Sequence, residues 1–364
     1  MEMRANRAAG EGPPQQGFDK ANKERSPASK SRRRFLTIVA AASAVGLTSG
    51  IGVLAGRRTT SDSSLHHWQG SALGADASLL VHHPDSGEAR RLIALARTEI
   101  DRLESIFSLH QADSALARLN LQGWLDDPPA ELVQLLARAR AWSVASDGAF
   151  DVTVQPLWSL YRDHFTQVNP DPDGPSANAV ARARRLVDYQ ALEISAHRIS
   201  FQRPGMAVTL NGIAQGAITD YVADLLHRNG LQNSLIDLGE MRALGAHPEG
   251  RPWRVGVKDP YDGTALVAQV DLTDRAMATS SVTGTVFEAS GRQHHLFDPK
   301  SGRPGRGLVS ASVVARRAAD ADAFSTALLA ASQPLSFKPS VSMGVERVLT
   351  IDDEGTIRNW NARA

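Results

Sequence analysis

The sequence predicts an α+β fold, a single mixed domain, and three observations carry that prediction. Apolar residues at helical spacing dominate the chain from about residue 92 to residue 146. Alternating and β-branched runs separated by turns dominate it after residue 230. No internal repeat or obvious boundary divides residues 65–364. With 364 residues and 42% hydrophobic content, the chain can bury a sizeable core.

The first elements read as targeting rather than fold. Residues 1–30 are polar, with Pro, Gly, Gln and Lys, and read as a disordered leader extension. Residues 31–36 are "SRRRFL", and the twenty residues Leu36 to Ala55 carry no charge. Paired arginines, then Phe and Leu, then a modest apolar run resemble a twin-arginine export signal over 31–55. The run is rich in Ala, Gly, Ser and Thr, which suits a signal better than a stable span. Cleavage is expected after Ala55, with an uncleaved inner-membrane anchor as the alternative. Residues 56–64 read as a linker, and the folded part is expected from Leu65.

Charge and cysteine usage narrow the function. Residues 1–55 hold nine Lys/Arg and four Asp/Glu, so of the 40 basic and 39 acidic residues, 31 and 35 remain beyond them, a net charge of −4. The basic excess belongs to the leader, and no nucleic-acid partner is expected. There is no cysteine. Disulfides, thiolate metal sites and a lipid-modified cysteine are therefore excluded.

Beyond residue 65 the elements follow in order. "ALGADASLLVHH" reads as a strand, and Leu92, Ala96, Ile100, Leu103 and Phe107 keep the spacing of a helix. A second helix covers about 130–146, with Leu132, Leu135, Leu136, Ala139 and Trp142 on one side. Short strands are expected near 192–194 and 199–201, before the turn "RPG". A third helix runs from near Ile213 to the stop at Asn229-Gly230. Then "SLIDL", "WRVGVKD", "LVAQVDL", "HHLFD" and "LVSASVVA" read as strands, interrupted by a helix around Asp322. The chain closes with a hairpin across Asp353-Glu354-Gly355.

Common catalytic signatures are missing: there is no GxxxxGK[ST] phosphate loop, HExxH helix or GxSxG elbow. Three other stretches stand out. "TLNGIAQGAITD" (209–220) places Gly212, Ala214 and Gly216 at a helix entry, where exposed amides can receive a phosphate. "ATSSVTGT" (278–285) and "HHLFDPKSGRPGRG" (294–307) form a polar loop pair with His295 and Asp298. "ADAFSTA" (321–327) sets Asp322 and Thr326 four residues apart, on one face of a helix. Alone, that pair reads first as capping and surface decoration. With the other two stretches it would suit a Mg²⁺-bound pyrophosphate.

The order of "SIFSLHQADSALARLN", "SDGAFDVTVQPLWSLY", "NGIAQGAITD", "IDLGEMRALG", "ATSS", "HHLFDPKSGRP" and "ADAFSTALL" resembles the ApbE family of FAD:protein FMN transferases, over nearly all of 70–360. The export signal, the absent lipoprotein cysteine and Gln215 look most like the NosX-type branch, which serves nitrous oxide respiration. The resemblance implies an ApbE-like mixed α/β domain that cleaves FAD, releases AMP, and joins FMN through its phosphate to a Thr or Ser hydroxyl of an acceptor flavoprotein, expected to be NosR-like. It implies Mg²⁺, with Mn²⁺ as the alternative ion, held by the Ala214 carbonyl, Asp322 and Thr326. It places His295 beside the reacting phosphate, with Asp322 the other catalytic candidate. Asn120, Asp151, Gly212, Gln215, Gly239, Glu240 and Ser280 would lie around FAD.

Two departures from the family pattern stand out: Leu73-Gly74-Ala75 replaces a common Met-Gly-Thr, and Gln215 a common Lys. The partners implied are FAD, the acceptor protein and the twin-arginine export machinery, and the location implied is the periplasm. A Mg²⁺-dependent FAD pyrophosphatase and a non-catalytic FAD-binding accessory protein remain the alternatives.

Overall fold

The computed structural model describes residues 64–262, 265–333 and 343–361. The leader extension, the twin-arginine segment and the linker through residue 63 lie outside the described residues.

β1 (Leu65–Ala72) and β2 (Ala75–His82) form an antiparallel hairpin where the sequence suggested one strand beginning at Ala72. The break is the two-residue turn Leu73-Gly74, at φ 47° and 78°. Two successive positive φ values are what a tight hairpin turn demands, and Leu at the first is an uncommon solution. α1 (Ser86–Phe107) follows, capped by Asp85, whose carboxylate accepts from the Gly87 and Glu88 amides. Its expected apolar stripe of Leu92, Ala96, Ile100, Leu103 and Phe107 is buried.

Short elements come next: α2 (Ala115–Gln122), β3 (Trp124–Asp126), α3 (Ala130–Ala145), α4 (Gln155–Phe165), α5 (Ala177–Arg184), β4 (Leu192–Ile194) and β5 (Arg198–Phe201). α6 (Ala214–Arg228) ends before Gly230, whose φ of 88° closes it as expected. Then follow β6 (Ser234–Asp237), β7 (Met241–Leu244), β8 (Trp253–Lys258), β9 (Leu266–Leu272), β10 (Ala276–Ser281), β11 (Phe297–Asp298), β12 (Arg303–Pro304) and β13 (Leu308–Ala315). α7 (Ala318–Ala330), β14 (Val345–Asp352) and β15 (Ile357–Asn361) complete the order. The expected strand "HHLFD" is a correction. His294 forms only an isolated bridge to Val286, and the strand is confined to Phe297–Asp298. The two histidines are instead held by side-chain bonds to loop carbonyls.

Eight strands form one antiparallel sheet in the order β1-β2-β6-β7-β10-β13-β14-β15. Alternation along each strand divides its side chains between two covers. Leu79, Ala278 and Val313 join a core with Leu92 of α1, Ile218 of α6 and Leu328 of α7. Met241, Met277, Val314 and Leu349 join a second core with Trp253, Val255 and Val270 of the β8–β9 hairpin. β13 is consequently buried at all eight residues, as a strand covered on both faces must be. On β10 this places Ala276, Ala278 and Ser280 toward α7. All residues of α7 except Thr326 are buried, which explains why its sequence is apolar almost all round.

Candidate active site

The site is assembled where the start of α6 meets the middle of α7. Gly216 makes that approach possible: a Cβ there would stand 2.4 Å from the Ala318 carbonyl oxygen and 2.7 Å from the Ala319 Cα. No side chain fits between backbones that close. The Gly216 amide then donates to Asp322 Oδ2 at 3.2 Å. Gly212, at the entry to α6, is equally confined, since a Cβ would lie 2.8 Å from Thr326 Oγ1. The predicted neighbours are thus together: Gly212, Ala214 as first residue of α6, Asp322 and Thr326.

Asp220, one turn further along α6, fixes the other end of the contact. Its carboxylate accepts from the Ala318 and Ala319 amides at 3.0 and 3.1 Å, supplying the cap that Arg317 does not. Arg242 and Arg317 reach the same carboxylate at 2.5 and 3.2 Å. Asp320, in the first turn of α7, takes two bonds from Arg138 at 2.7 and 2.6 Å and one from the Trp142 indole at 2.9 Å. These ties hold α7 in one axial position.

Glu240 and Asp322 are both buried, and the Glu240 carboxylate accepts from the Thr279 amide at 3.2 Å. Burial raises both above the usual carboxylate range. The nearby Asp322 charge raises Glu240 further, while the Gly216 amide opposes the shift at Asp322. Among the described residues no lysine or arginine offsets either charge. Gln215 covers Gly239, whose φ is 95° and whose Cβ would lie 2.7 Å from Gln215 Nε2. Ser280 completes the cluster through its hydroxyl, 2.7 Å from Ser325 Oγ and 3.3 Å from Thr326 Oγ1.

His295 sits against the turn that follows β10. Its Cε1 and Nε2 would lie 3.4 and 3.8 Å from a Cβ on Gly284, four residues beyond Ser280. Its Nδ1 is 2.9 Å from the Thr285 carbonyl, which can only accept, so Nδ1 carries the proton and Nε2 the free lone pair. Burial pushes its pKa down to about 4, keeping the ring neutral at ordinary pH. His294 is bound to the Gly305 carbonyl at 3.0 Å and accepts from the Leu296 amide at 3.3 Å, so both its nitrogens serve the loop. Phe287 and Phe297, with centroids 6.1 Å apart, anchor this loop on Tyr161.

Asn120 and Asp151 stand back from that cluster. Asn120 pairs with both backbone groups of Val208, donating at 2.8 Å and accepting at 2.7 Å. Asp151 accepts from Thr153 twice, at 2.8 and 2.6 Å, and from the Tyr189 amide at 3.1 Å. With Thr209 bonded to Val152 at 2.8 Å, these contacts fix the segment leading into Gly212.

Residues 73–337 match the model of the ApbE family. The chain belongs to the ApbE family. Among its relatives, the FAD:protein FMN transferase of Escherichia coli is 30% identical over 275 residues, covering 72% of this chain and 74% of that protein. The transferase of the same name from Vibrio cholerae is 31% identical over 277 residues, covering 72% and 80%. Among solved structures, the ApbE protein of Thermotoga maritima superposes with a TM-score of 0.72 at 26% identity, covering 82% of this chain and 97% of that one. The apo flavinyl transferase ApbE of Pseudomonas stutzeri gives 0.67 at 26%, covering 82% and 94%.

The donor set of this ApbE-family chain fits a hard divalent ion in a buried carboxylate with no cationic partner among the described residues and a hydroxyl one helical turn on, while Ala214, the third expected ligand, begins α6. Among the described residues no three His, Asp or Glu side chains gather where they could hold a metal ion, so an ion at this cluster would need mixed oxygen donors. Asp220, Ser325 and Thr285 are the site residues that sequence reasoning did not single out. Asp220 lay within "NGIAQGAITD", where a carboxylate inside an otherwise apolar helix face was its signal. Thr285 acts through its carbonyl, which no side chain announces.

Proposed function

We propose that this chain is a Mg²⁺-dependent FAD:protein FMN transferase of the NosX-type branch, exported to the periplasm by the twin-arginine route and acting on a membrane flavoprotein of the NosR type. The observation that supports this reading is the convergence of the α6 entry, Asp322 and Thr326, with neutral His295 on the adjoining turn. The relatives' name as FAD:protein FMN transferases and the "SRRRFL" segment point the same way.

Asp322, Thr326 and the Ala214 carbonyl would hold the metal ion, which when bound neutralises pyrophosphate charge and steadies the transferring phosphoryl group. The acceptor hydroxyl oxygen attacks the phosphorus that carries riboflavin, and the bond from that phosphorus to the bridging oxygen breaks. AMP leaves with the bridging oxygen, and FMN remains on the acceptor as a phosphoester. His295 Nε2 takes the hydroxyl proton, because its lone pair is free and its ring neutral. The amides of Ile213, Ala214 and Gly216 at the α6 entry are already bonded to the Leu210 carbonyl and to Asp322, so they are not the expected phosphate donors. Gln215 supplies a neutral donor where a lysine would add charge.

The test incubates the full chain with FAD, Mg²⁺ and an acceptor domain, and reads acceptor-bound flavin fluorescence on a denaturing gel. Covalent flavin that disappears with chelator is the expected result. Release of AMP and free FMN without labelling would identify a pyrophosphatase instead, and unchanged FAD would identify a binding protein.

A further inference from the structure

Three hydroxyls beside Asp322 form a chain whose direction is set at one end. Ser325 Oγ lies 3.0 Å from the Asp322 carbonyl oxygen, Ser280 Oγ lies 2.7 Å from Ser325 Oγ, and Thr326 Oγ1 lies 3.3 Å from Ser280 Oγ. A carbonyl oxygen can only accept, so Ser325 must spend its single proton on it. Ser325 can then only accept from Ser280, which commits the Ser280 proton. Ser280 can in turn only accept from Thr326. The Thr326 proton is thereby drawn toward Ser280, and its lone pairs are left for the site.

We infer that Ser325 and Ser280 are positioning residues that polarise Thr326, so that its hydroxyl presents a lone pair rather than a proton to a divalent cation. The inference rests on the metal-dependent reading of this site. It gives a physical reason for the run Ser325-Thr326 on a helix that is apolar apart from these two, Asp320 and Asp322, and for Ser280 facing α7 from the alternating pattern of β10. Ser325 is fully buried, where a hydroxyl persists only with a partner. Without its directing bond, Ser280 is free to turn its own proton toward Thr326, and Thr326 to turn its proton toward the cation.

The experiment measures Mn²⁺ binding to the full chain with FAD, by the electron paramagnetic resonance signal of free Mn²⁺, for wild type, Ser325→Ala, Thr326→Val and the double variant. FAD binding without metal and thermal unfolding are followed in parallel. Ser325→Ala is expected to weaken Mn²⁺ about tenfold with metal-free FAD binding unchanged. In the Thr326→Val background the same substitution should add nothing, because there is no hydroxyl left to direct. Ser280→Ala should also weaken Mn²⁺, and is read on Mn²⁺ affinity alone because Ser280 is itself a candidate FAD contact. Wild-type affinity in Ser325→Ala overturns the relay while Thr326→Val still reports on the metal site. Equal losses from Ser325→Ala with and without the Thr326 hydroxyl also overturn it, leaving a packing role. Absence of saturable Mn²⁺ binding by wild type overturns the metal reading itself.

Discussion

Adjacent histidines with the same depressed pKa serve different ends, and hydrogen bonding separates them. His294 uses both nitrogens on loop backbone, whereas His295 uses only Nδ1. His295→Ala is therefore expected to slow FMN transfer by about 10²–10⁴-fold with a smaller change in FAD affinity, read from single-turnover rates and flavin titration. Equal losses in both would assign it to binding. His294→Asn tests the other role through pH. In the folded chain the pKa is pushed down to about 4, while the unfolded value is near 6.5. Between those values the unfolded state holds a proton that the folded state lacks, so stability falls as pH drops, by about 1.4 kcal/mol per pH unit at most for one group. Urea unfolding at pH 7 and pH 5 should show a smaller loss in His294→Asn than in wild type. The sequence made His295 a candidate through its motif, but it gave no means of telling which nitrogen was free, because the Thr285 carbonyl that decides it is ten residues away.

At the scale of elements, the α6–α7 contact governs the site. Gly216→Ala places a methyl group against backbone that cannot move aside cheaply, and a loss of about 1–3 kcal/mol is expected, with weaker Mn²⁺ binding in the same variant. Normal stability and normal metal affinity together would show that the helices can separate without consequence. Asp220→Ala leaves two α7 amides uncapped and removes a carboxylate shared by Arg242 and Arg317, with an expected cost of about 3 kcal/mol by chemical denaturation. Long helices were legible because their apolar residues recur at one period: α1, α3 and α6 fall close to their expected spans. The hairpin turn at Leu73-Gly74 was not legible, since Leu is a rare residue at positive φ. Nor was the loop at His294–His295, whose order comes from aromatic packing and carbonyl bonds rather than strand pairing. The Asp322/Thr326 spacing was visible, but the burial of Asp322 was not, because helical spacing alone does not say which face meets a neighbour.

For the whole molecule, the paired arginines and the folded part make separate predictions. Replacing Arg32 and Arg33 together by Lys should leave flavin transfer by the purified protein unchanged while trapping it in the cytoplasm, as read by cell fractionation. Periplasmic accumulation of that variant would remove the twin-arginine reading. The α+β character of the fold was legible from the change in periodicity along the chain. The sheet order was not, since β10 lies between β7 and β13 only because β8 and β9 leave the sheet to cover its second face.

That enclosure has a consequence for motion. α7 is roofed by α6 and floored by β10 and β13, with both layers continuous with the main core. Its residues are buried at every position but Thr326, so most of its amides open only with the layers around it. In hydrogen–deuterium exchange, the Asp322–Leu329 segment should be among the last to label, at a rate set by global unfolding. On the proposed reading, Asp322 and Thr326 would then hold the ion as one rigid pair. A metal seated there would leave past the partly exposed Thr326 rather than through a loosened helix.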